Sequence, residues 1–338
     1  MIFIDLKTAA ARLRAAEAVR ILTHGHPDGD TLGSAFALAH ALRALKKPVT
    51  VLCEDPIPAM FAYMRADVAY EILGEKNQDP PDDGANRQPA AGFLISVDVA
   101  DENLLGPAAL SRFGGQVRLN IDHHATNTLF AAETLLDPSA AATAEIVSDL
   151  IDLMGVRMDT LMAACLYAGV STDTGCFRYY NTTARSHRYA ARYMELGVET
   201  EPLDRAFFET ESRSYMALER LAFDGLRYFA EGRIALIAVT QAMFAQSGSN
   251  DEEYIKLVAR TRQIEGVQVG VALRERRDGT YKISLRSHET VDAAAICARM
   301  GGGGHSRAAG CASELPLEDT IRRVVGFVEE AIKGVQGC

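Results

Sequence analysis

Hydrophobic residues in the first half of the chain form short, nearly continuous runs separated by segments with helical spacing. Four runs rich in β-branched residues are typical of strands buried on both faces, at 19–24, 48–53, 93–98 and 117–122. Between the first two, apolar residues of 31–45 recur at helical spacing. This alternation predicts an α/β fold in which a doubly wound, mainly parallel sheet carries helices on both faces.

The second half has its own hydrophobic pattern, beginning near residue 212. Three further strand-like runs at 233–240, 266–276 and 281–287, with helices between them, predict a smaller C-terminal α/β domain. The 338 residues also exceed what one core usually supports. We therefore expect a first domain at 1–183, a helical connector at 184–212 and a second domain at 213–338.

The polar segment at 75–92 is rich in Pro, Asp and Gly, which predicts an irregular surface loop. No apolar run reaches the ~18–20 residues of a membrane span, and the N-terminus lacks the pattern of a secretory signal. The six cysteines include no Cys-x-x-Cys pair. We therefore expect a reduced, cytoplasmic protein without a membrane partner.

The net charge of −10 disfavours a protein that coats long duplex nucleic acid through a broad basic face. It is compatible with a small anionic substrate if the site itself supplies metal ions or a few arginines.

Aspartates and histidines follow three of the predicted strands at the point where each strand ends. His24 ends the first, Asp98 the third, and His123 and His124 follow the fourth directly after Asp122. Because ligands of an open parallel sheet bind beyond the carboxyl ends of its strands, these side chains are expected at one edge of the sheet. Asp122 is expected to orient a neighbouring imidazole.

Three more carboxylates belong to the same region. Asp28 and Asp30 follow the first strand, and Asp173 lies where a predicted helix at 160–175 becomes polar. Taken alone, Asp28 or Asp30 could simply cap the helix near residue 31. Several carboxylates at one edge are harder to explain as separate caps, since clustered like charges require compensation by cations.

Mixed Asp and His ligation suits Mn²⁺, with Mg²⁺, Co²⁺, Fe²⁺ or Zn²⁺ as alternatives. Two such ions ~3.5–4 Å apart would bridge a nucleophilic water and hold a phosphoryl group.

A second candidate element lies near the C-terminus. Four glycines at 301–304 precede His305, and their backbone amides can approach an anion closely. Arg286, at the end of a predicted strand, can make a bidentate contact with phosphate. The Gly-Lys-Ser/Thr ending of a Walker loop is missing.

Together these motifs resemble the DHH-superfamily phosphoesterases with a DHH-associated C-terminal domain. They are most similar to the bacterial nanoRNases, which are bifunctional oligoribonucleases and 3′-phosphoadenosine 5′-phosphate (pAp) phosphatases. The matching segments, in the order of the family, are 24–30, Asp98, 122–124, 172–175 with its extension at 177–179 and 181–183, and 301–310.

The resemblance implies that His24 and Asp28 hold one metal, usually Mn²⁺. Asp30, His123 and Asp173 would hold the other, and Asp98 would bridge the two.

It assigns catalytic roles to Asp98 and to His124, which would contact the substrate phosphate or the attacking water. The residues that it implies for the terminal phosphate and sugar are Arg286, Ser287, Gly303, Gly304 and His305.

In the family the active site lies in the cleft between a catalytic DHH domain, here 1–183, and a substrate-binding domain, here 213–338. The implied activity is degradation of short single-stranded RNA or DNA to mononucleotides, with removal of the 3′-phosphate of pAp. The family also implies that a homodimer can form. Two positions depart from the family pattern: His26, and Tyr180, where nanoRNases usually have a small residue.

Two other functions stay open at this point. A phosphodiesterase acting on cyclic or linear dinucleotides would use the same metal chemistry. A non-catalytic nucleotide sensor would keep the fold but is expected to lose a ligand, whereas every motif position here holds a competent residue.

Overall fold

The computed structural model describes residues 2–74, 92–288 and 291–336. The chain divides into two compact units, Met1–Thr210 and Glu211–Cys338. The first unit includes all but the last two residues of the expected connector at 184–212. Of the loop expected at 75–92, all but the last residue lie outside the described residues.

The first unit contains a seven-stranded sheet in the order β1-β7-β6-β5-β2-β3-β4. Its strands are β1 (Ile2–Phe3), β2 (Val19–Leu22), β3 (Val49–Cys53), β4 (Ala69–Ile72), β5 (Phe93–Val97), β6 (Leu119–Asp122) and β7 (Glu133–Leu136). Its α-helices are α1 (Leu6–Ala15), α2 (Gly29–Ala44), α3 (Pro107–Phe113), α4 (Thr143–Leu153), α5 (Thr160–Asp173), α6 (Ala184–Glu195) and α7 (Thr200–Asp204). Every strand pairing in this sheet is parallel, as the sequence predicted.

The central strands are apolar on both faces because each face has its own core. Ile21 belongs to the core that includes residues of α2, α4 and α5, whereas its neighbour Leu22 packs in a second core with Phe113 of α3. The same alternation separates Ile95 from Leu94 in β5. Burial on both faces explains why these strands appear in the sequence as continuous hydrophobic runs.

Glycines allow helices α2 and α5 to approach each other closely. A Cβ atom at Gly33 would lie 2.2 Å from the carbonyl oxygen of Cys165. A Cβ atom at Gly169 would lie 2.6 Å from Cβ of Ala144 and 2.7 Å from Oδ1 of Asp30. The close approach therefore brings the start of α2 beside the first turn of α4 and the last turns of α5.

The strand order reverses direction between β2 and β5. After β2 the chain builds β3 and β4 on one side, and β5 then returns to pair with the other side of β2. Such a switch point leaves a crevice at the carboxyl ends of the two strands, where open α/β sheets bind ligands.

The second unit contains a six-stranded, mostly antiparallel sheet in the order β12-β13-β11-β10-β9-β8. Its strands are β8 (Arg227–Phe229), β9 (Ile234–Val239), β10 (Val269–Glu275), β11 (Tyr281–Ser287), β12 (Gly303–His305) and β13 (Ala308–Ser313). Its helices are α8 (Arg213–Asp224), α9 (Gln241–Ser247), α10 (Asp251–Arg262), α11 (Ala293–Ala298) and α12 (Leu317–Gln336). Within the described residues, no helix combines the length and the apolar character needed to cross a membrane.

The glycine-rich segment forms part of a sheet. Gly303–His305 pairs with the start of β13, with Gly303 opposite Gly310. Gly304 has φ +142°, and a Cβ atom there would lie 2.6 Å from the carbonyl oxygen of Ala308. Only glycine fits this close, left-handed position without strain.

Candidate metal centre

Three adjacent strands deliver the predicted side chains to the switch point. His24 lies two residues beyond β2, Asp98 directly follows β5, and His123 directly follows β6. Helix α2 begins with the segment that contains Asp28 and Asp30, and α5 ends at Asp173.

His24 faces two of the carboxylates through one ring nitrogen. Its Nδ1 lies 2.8 Å from the carbonyl oxygen of Gly25 and donates to it, which leaves the lone pair on Nε2. That Nε2 lies 3.6 Å from Oδ1 of Asp28 and 3.7 Å from Oδ2 of Asp98. A histidine fixed by a backbone carbonyl and surrounded by carboxylates is a typical arrangement for a metal ligand.

Asp28 also caps helix α2, as the alternative interpretation of the sequence proposed. Its Oδ1 accepts hydrogen bonds from the backbone amides of Asp30 and Thr31. The cap orients the carboxylate next to His24, so the structural role and membership of the cluster are compatible.

His123 completes the other side of the cluster. Its Nδ1 lies 3.2 Å from the carbonyl oxygen of Ala140. Its Nε2 is buried without a hydrogen-bond partner, 3.7 Å from Oδ1 of Asp98 and 3.5 Å from Oδ2 of Asp173. The two carboxylate oxygens of Asp98 therefore face different histidines, Oδ2 towards His24 and Oδ1 towards His123.

Asp30 is fully buried and held by the N-terminus of helix α4. Its Oδ2 accepts from the amide of Thr143 at 2.7 Å, and its Oδ1 accepts from the amide of Ala144 at 2.9 Å. A helix N-terminus stabilises negative charge, which allows a carboxylate to be kept in this interior position.

His124 is half-exposed and oriented by Asp122. Its Nδ1 donates to Oδ1 of Asp122 at 2.7 Å. Asp122 is itself buried, and its other oxygen accepts from the amide group of Asn127 at 2.5 Å. The contact with Asp122 leaves Nε2 of His124 as the remaining ring nitrogen.

The pKa values indicate an excess of buried negative charge. Burial and the neighbouring carboxylates raise the pKa of Asp30 well above its usual range. Burial also raises the pKa of Asp173 to about 7, with a further contribution from Asp98. Burial opposes the charged form of His24, but Asp28 and Asp98 outweigh it and raise its pKa to about 11. The raised pKa values of Asp30, Asp173 and His24 all mean that additional positive charge is favourable here. Divalent cations would supply that charge.

The donor atoms satisfy the requirements of a metal site. Within each of three groups, one ligand atom per residue lies within 4.8 Å of the others: His24, Asp28 and Asp98; Asp30, His123 and Asp173; and Asp98, His123 and His124. The buried, unpartnered Nε2 of His123 gives independent support, because a buried acceptor without a partner is costly unless a cation occupies that position. All six predicted metal ligands, and His124, thus lie in one cluster.

Thr143 also contacts the Asp/His cluster, which the sequence analysis did not predict. Its fully buried hydroxyl donates to Oδ1 of Asp98 at 2.9 Å, while its amide binds Asp30. The one available signal in the sequence is a Thr just before a stretch with helical spacing, where it would ordinarily be interpreted as a cap.

Replacing Thr143 by Val is expected to weaken metal binding by about 10- to 100-fold, because the change removes the hydrogen bond that orients Asp98 but keeps the shape of the side chain. The measurement is the Mn²⁺ concentration that gives half-maximal activity. Thr143→Ser, which keeps the hydroxyl, is the control. Equal weakening in the Ser and Val variants would contradict the role of the hydroxyl.

Three of the five substrate-binding residues predicted in the second unit line an open cavity of about 550 Å³. Arg286, Gly303 and Gly304 line it together with Arg276 and Lys282. Burial and the nearby Arg262 lower the pKa of Arg286, which means that its charge lacks full compensation. The cavity is therefore suited to an anion.

Ser287 and His305 differ in their surroundings. His305 is exposed at the end of β12. Ser287 is fully buried, and its hydroxyl donates to the carbonyl oxygens of Val291 and Ser306. The hydroxyl of Ser287 therefore supports the loop beside the cavity, and the expected contact of Ser287 with the substrate stays a prediction.

The sheet, its switch point and the Asp/His cluster together define a metal-binding α/β protein with its ligands beyond the ends of central parallel strands. Comparison with known proteins identifies the family. The DHH family N-terminal domain matches residues 18–170, and the DHHA1 domain matches residues 236–334. The chain belongs to the DHH family of metal-dependent phosphoesterases.

A bacterial relative agrees with this assignment. The chain is 33% identical over 330 residues to the bifunctional oligoribonuclease and PAP phosphatase NrnA of Thermus thermophilus, covering 97% of this chain and 94% of that protein.

Two solved structures share the fold. An exopolyphosphatase-related protein of Bacteroides fragilis superposes with a TM-score of 0.85 at 23% identity, covering 98% and 97% of the two chains. Thermus thermophilus RecJ in complex with Mn²⁺ has a TM-score of 0.53 at 15% identity, covering 97% of this chain and 55% of that one.

Proposed function

We propose that this protein is a two-metal, manganese-type phosphohydrolase that degrades short oligonucleotides to mononucleotides and removes the 3′-phosphate of pAp. The observation that carries the proposal is the position of Asp98, whose two oxygens face two separate His-containing ligand groups. The substrate class is supported by the activity of the Thermus relative, to which this protein is similar over nearly its whole length.

The ligand groups suggest how two cations would be held. His24 and Asp28 would bind one, Asp30, His123 and Asp173 the other, and Asp98 both. Mixed nitrogen and oxygen ligation favours Mn²⁺, with Mg²⁺, Co²⁺, Fe²⁺ and Zn²⁺ as alternatives. Bound cations would activate water and neutralise charge on the phosphoryl group.

The remaining residues of the cluster orient the reacting groups. Asp122 and Asn127 fix the imidazole of His124, and the hydrogen bond to Asp122 raises the pKa of His124 to about 9. Its protonated Nε2 can therefore donate to a phosphate oxygen or contact the attacking water. The N-terminus of helix α4 and the hydroxyl of Thr143 hold Asp30 and Asp98 in place, so that substrate binding requires little rearrangement.

The second unit would bind the terminal phosphate and sugar of the substrate. Arg286, Gly303, Gly304 and His305 are the proposed contacts, and the uncompensated charge of Arg286 supports them. We accordingly assign catalysis to 1–183 and substrate binding to 213–338. Because the five described cysteines are free thiols, a reducing, cytoplasmic environment suits the protein.

Short substrates are expected to be cleaved fastest. The glycine-rich strand would bind one end of the substrate, and the net charge of −10 disfavours a long polyanion. The test is a panel assayed with Mn²⁺ that contains pAp, the dinucleotide pApA, RNA of about two to about twenty nucleotides, cyclic dinucleotides and pyrophosphate. We expect kcat/KM to be highest for pApA and pAp, and EDTA to abolish activity.

Two results would overturn the proposal. Faster cleavage of the longest RNA than of pApA would contradict the preference for short substrates. Cleavage of cyclic dinucleotides with a higher kcat/KM than any linear substrate would instead identify a cyclic-dinucleotide phosphodiesterase.

A further inference from the structure

Tyr180 is an aromatic side chain without a partner in the fold. Its ring is 100% exposed, the highest value among the large hydrophobic residues that the structure describes. An isolated surface aromatic is ordinary by itself, so its significance depends on how its backbone is held.

The turn that carries Tyr180 is fixed by hydrogen bonds to the end of helix α5. The amide of Phe177 donates to Oγ1 of Thr174, and the amide of Tyr179 donates to the carbonyl oxygen of Thr174. The amide of Thr182 in turn donates to the carbonyl oxygen of Tyr179. Tyr180 therefore lies on an ordered turn.

The same turn is attached directly to a proposed metal ligand. The side-chain amide of Asn181, the residue after Tyr180, donates to the carbonyl oxygens of Asp173 and Ala141, each at 3.1 Å. The Cα atoms of Tyr180 and Asn181 are only ~3.8 Å apart along the chain. The turn that carries the exposed ring is thus hydrogen-bonded to the backbone of Asp173, a proposed metal ligand.

The preceding residue shows that the turn alone does not require an aromatic at position 180. Tyr179 packs its ring against Gly175, where a Cβ atom would lie 2.3 Å from Cζ of the ring. Gly175 also has φ +56°, so this contact depends on glycine. Tyr179 stabilises the turn, whereas Tyr180 is available to a ligand.

We propose that Tyr180 stacks on a nucleobase of the substrate and so acts as a specificity-determining residue; this rests on the proposed function. A nucleobase is separated from its phosphate by a single sugar, so a ring on the turn that is bonded to Asp173 would come within range of the base. Aromatic residues stack on any base, because every base has a π-face. Tyr180 would therefore favour nucleotides over phosphate esters without a base, with little preference for sequence.

The kinetic test compares pApA with an analogue in which both bases are replaced by hydrogen. Tyr180→Ala is expected to raise KM for pApA by about 5- to 150-fold, the range for loss of one stacked base, and to change kcat little. Tyr180→Phe should keep the low KM. With the abasic analogue, Tyr180→Ala should match the unmodified protein.

Tyr228→Ala is the matched control, since Tyr228 is a half-exposed tyrosine on β8 of the second unit. Stacking would be refuted if Tyr180→Ala left the KM for pApA unchanged. It would also be refuted if the substitution raised KM as much for the abasic analogue as for pApA. A similar loss in Tyr228→Ala would also count against it, because the effect would then not be specific to position 180.

A binding measurement separates failure of this proposal from failure of the proposed activity. The chain contains no tryptophan, so Tyr180→Trp has a single indole that a stacked base would quench. We expect pApA, but not the abasic analogue, to quench this indole, and neither to quench the indole of Tyr228→Trp. Quenching without any cleavage by the unmodified protein would refute the activity alone, and cleavage without quenching would refute the stacking alone.

Discussion

Replacing Asp98 by Asn is expected to reduce kcat/KM for pApA by roughly 10³-fold. The two oxygens of Asp98 face the two ligand groups, and an amide would supply one neutral oxygen in place of two charged ones. Loss of several kcal/mol of metal-dependent transition-state stabilisation corresponds to about three orders of magnitude in rate.

The Asp98→Asn substitution is expected to change catalysis without disturbing the fold, because Asn fits the backbone conformation at this position. Asp98 has φ +60°, in the left-handed region where Asn and Asp are several-fold enriched among non-glycine residues. Asn therefore fits the same backbone, and its side chain can still accept a hydrogen bond from Thr143. An Ala at this position would combine backbone strain with loss of the ligand.

Activity and bound manganese are to be measured in parallel for Asp98→Asn and for Asp101→Asn. Asp101 lies three residues further on, is partly buried and caps a short 3₁₀ helix, a role that Asn also fills. Asp101→Asn should keep both properties. If Asp98→Asn retained activity within tenfold of the unmodified protein, Asp98 would not bridge the cations, and a non-catalytic role of the cluster would regain support.

The central part of the sheet could be predicted from the sequence because burial on both faces produces a recognisable pattern. β2, β3, β5 and β6 are continuous apolar runs, and all four were predicted. The strands that were missed, β1, β4 and β7, contain two to four residues each. Ile2 and Phe3 are mostly exposed, and β4 is only partly covered, so neither strand has an apolar pattern long enough to recognise.

The proposed ligands were predictable because each lies close to the end of a buried strand or at one terminus of a helix, positions that the chain itself defines. The hydrogen bonds that hold these residues in place could not be predicted, because they join segments that are far apart in the sequence. Thr143 and Asp98 are 45 residues apart, and Thr143 and Asp30 are 113 apart. Likewise, Ser287 follows Arg286 at the end of β11, and only the fold shows that its hydroxyl points inward.

An ionic network around the buried carboxylate of Glu145 connects helices α4 and α6 in the first unit. The guanidinium of Arg185 contacts Asp137 at 2.7 Å, Asp149 at 3.0 Å and Glu145 at 3.3 Å. Glu145 is fully buried, and its side-chain oxygens have no hydrogen-bond partner in the structure. Burial raises the pKa of Glu145, and the charge of Arg185 opposes that shift.

Replacing Arg185 by Met is expected to destabilise the first unit by about 3–5 kcal/mol, because removing one partner leaves a buried charge uncompensated. In a unit of this size that corresponds to a decrease of roughly 6–20 °C in Tm. Thermal and urea unfolding followed by circular dichroism measure both quantities. Arg205→Met is the control, since Arg205 forms an exposed pair with Glu201 and should cost less than about 1 kcal/mol.

The same variant has a testable pH dependence. Without Arg185, the buried Glu145 has a folded-state pKa further above its unfolded value, so the folded state binds a proton more tightly than the unfolded state. Stability is then retained below the unfolded pKa and lost as the pH rises through the folded one. The loss caused by Arg185→Met should accordingly be smaller at about pH 5 than at about pH 8. Adding Glu145→Gln to Arg185→Met should recover part of the lost stability at the higher pH. If the stability loss depended neither on pH nor on Glu145→Gln, the packing of Arg185 and not its charge would stabilise α4.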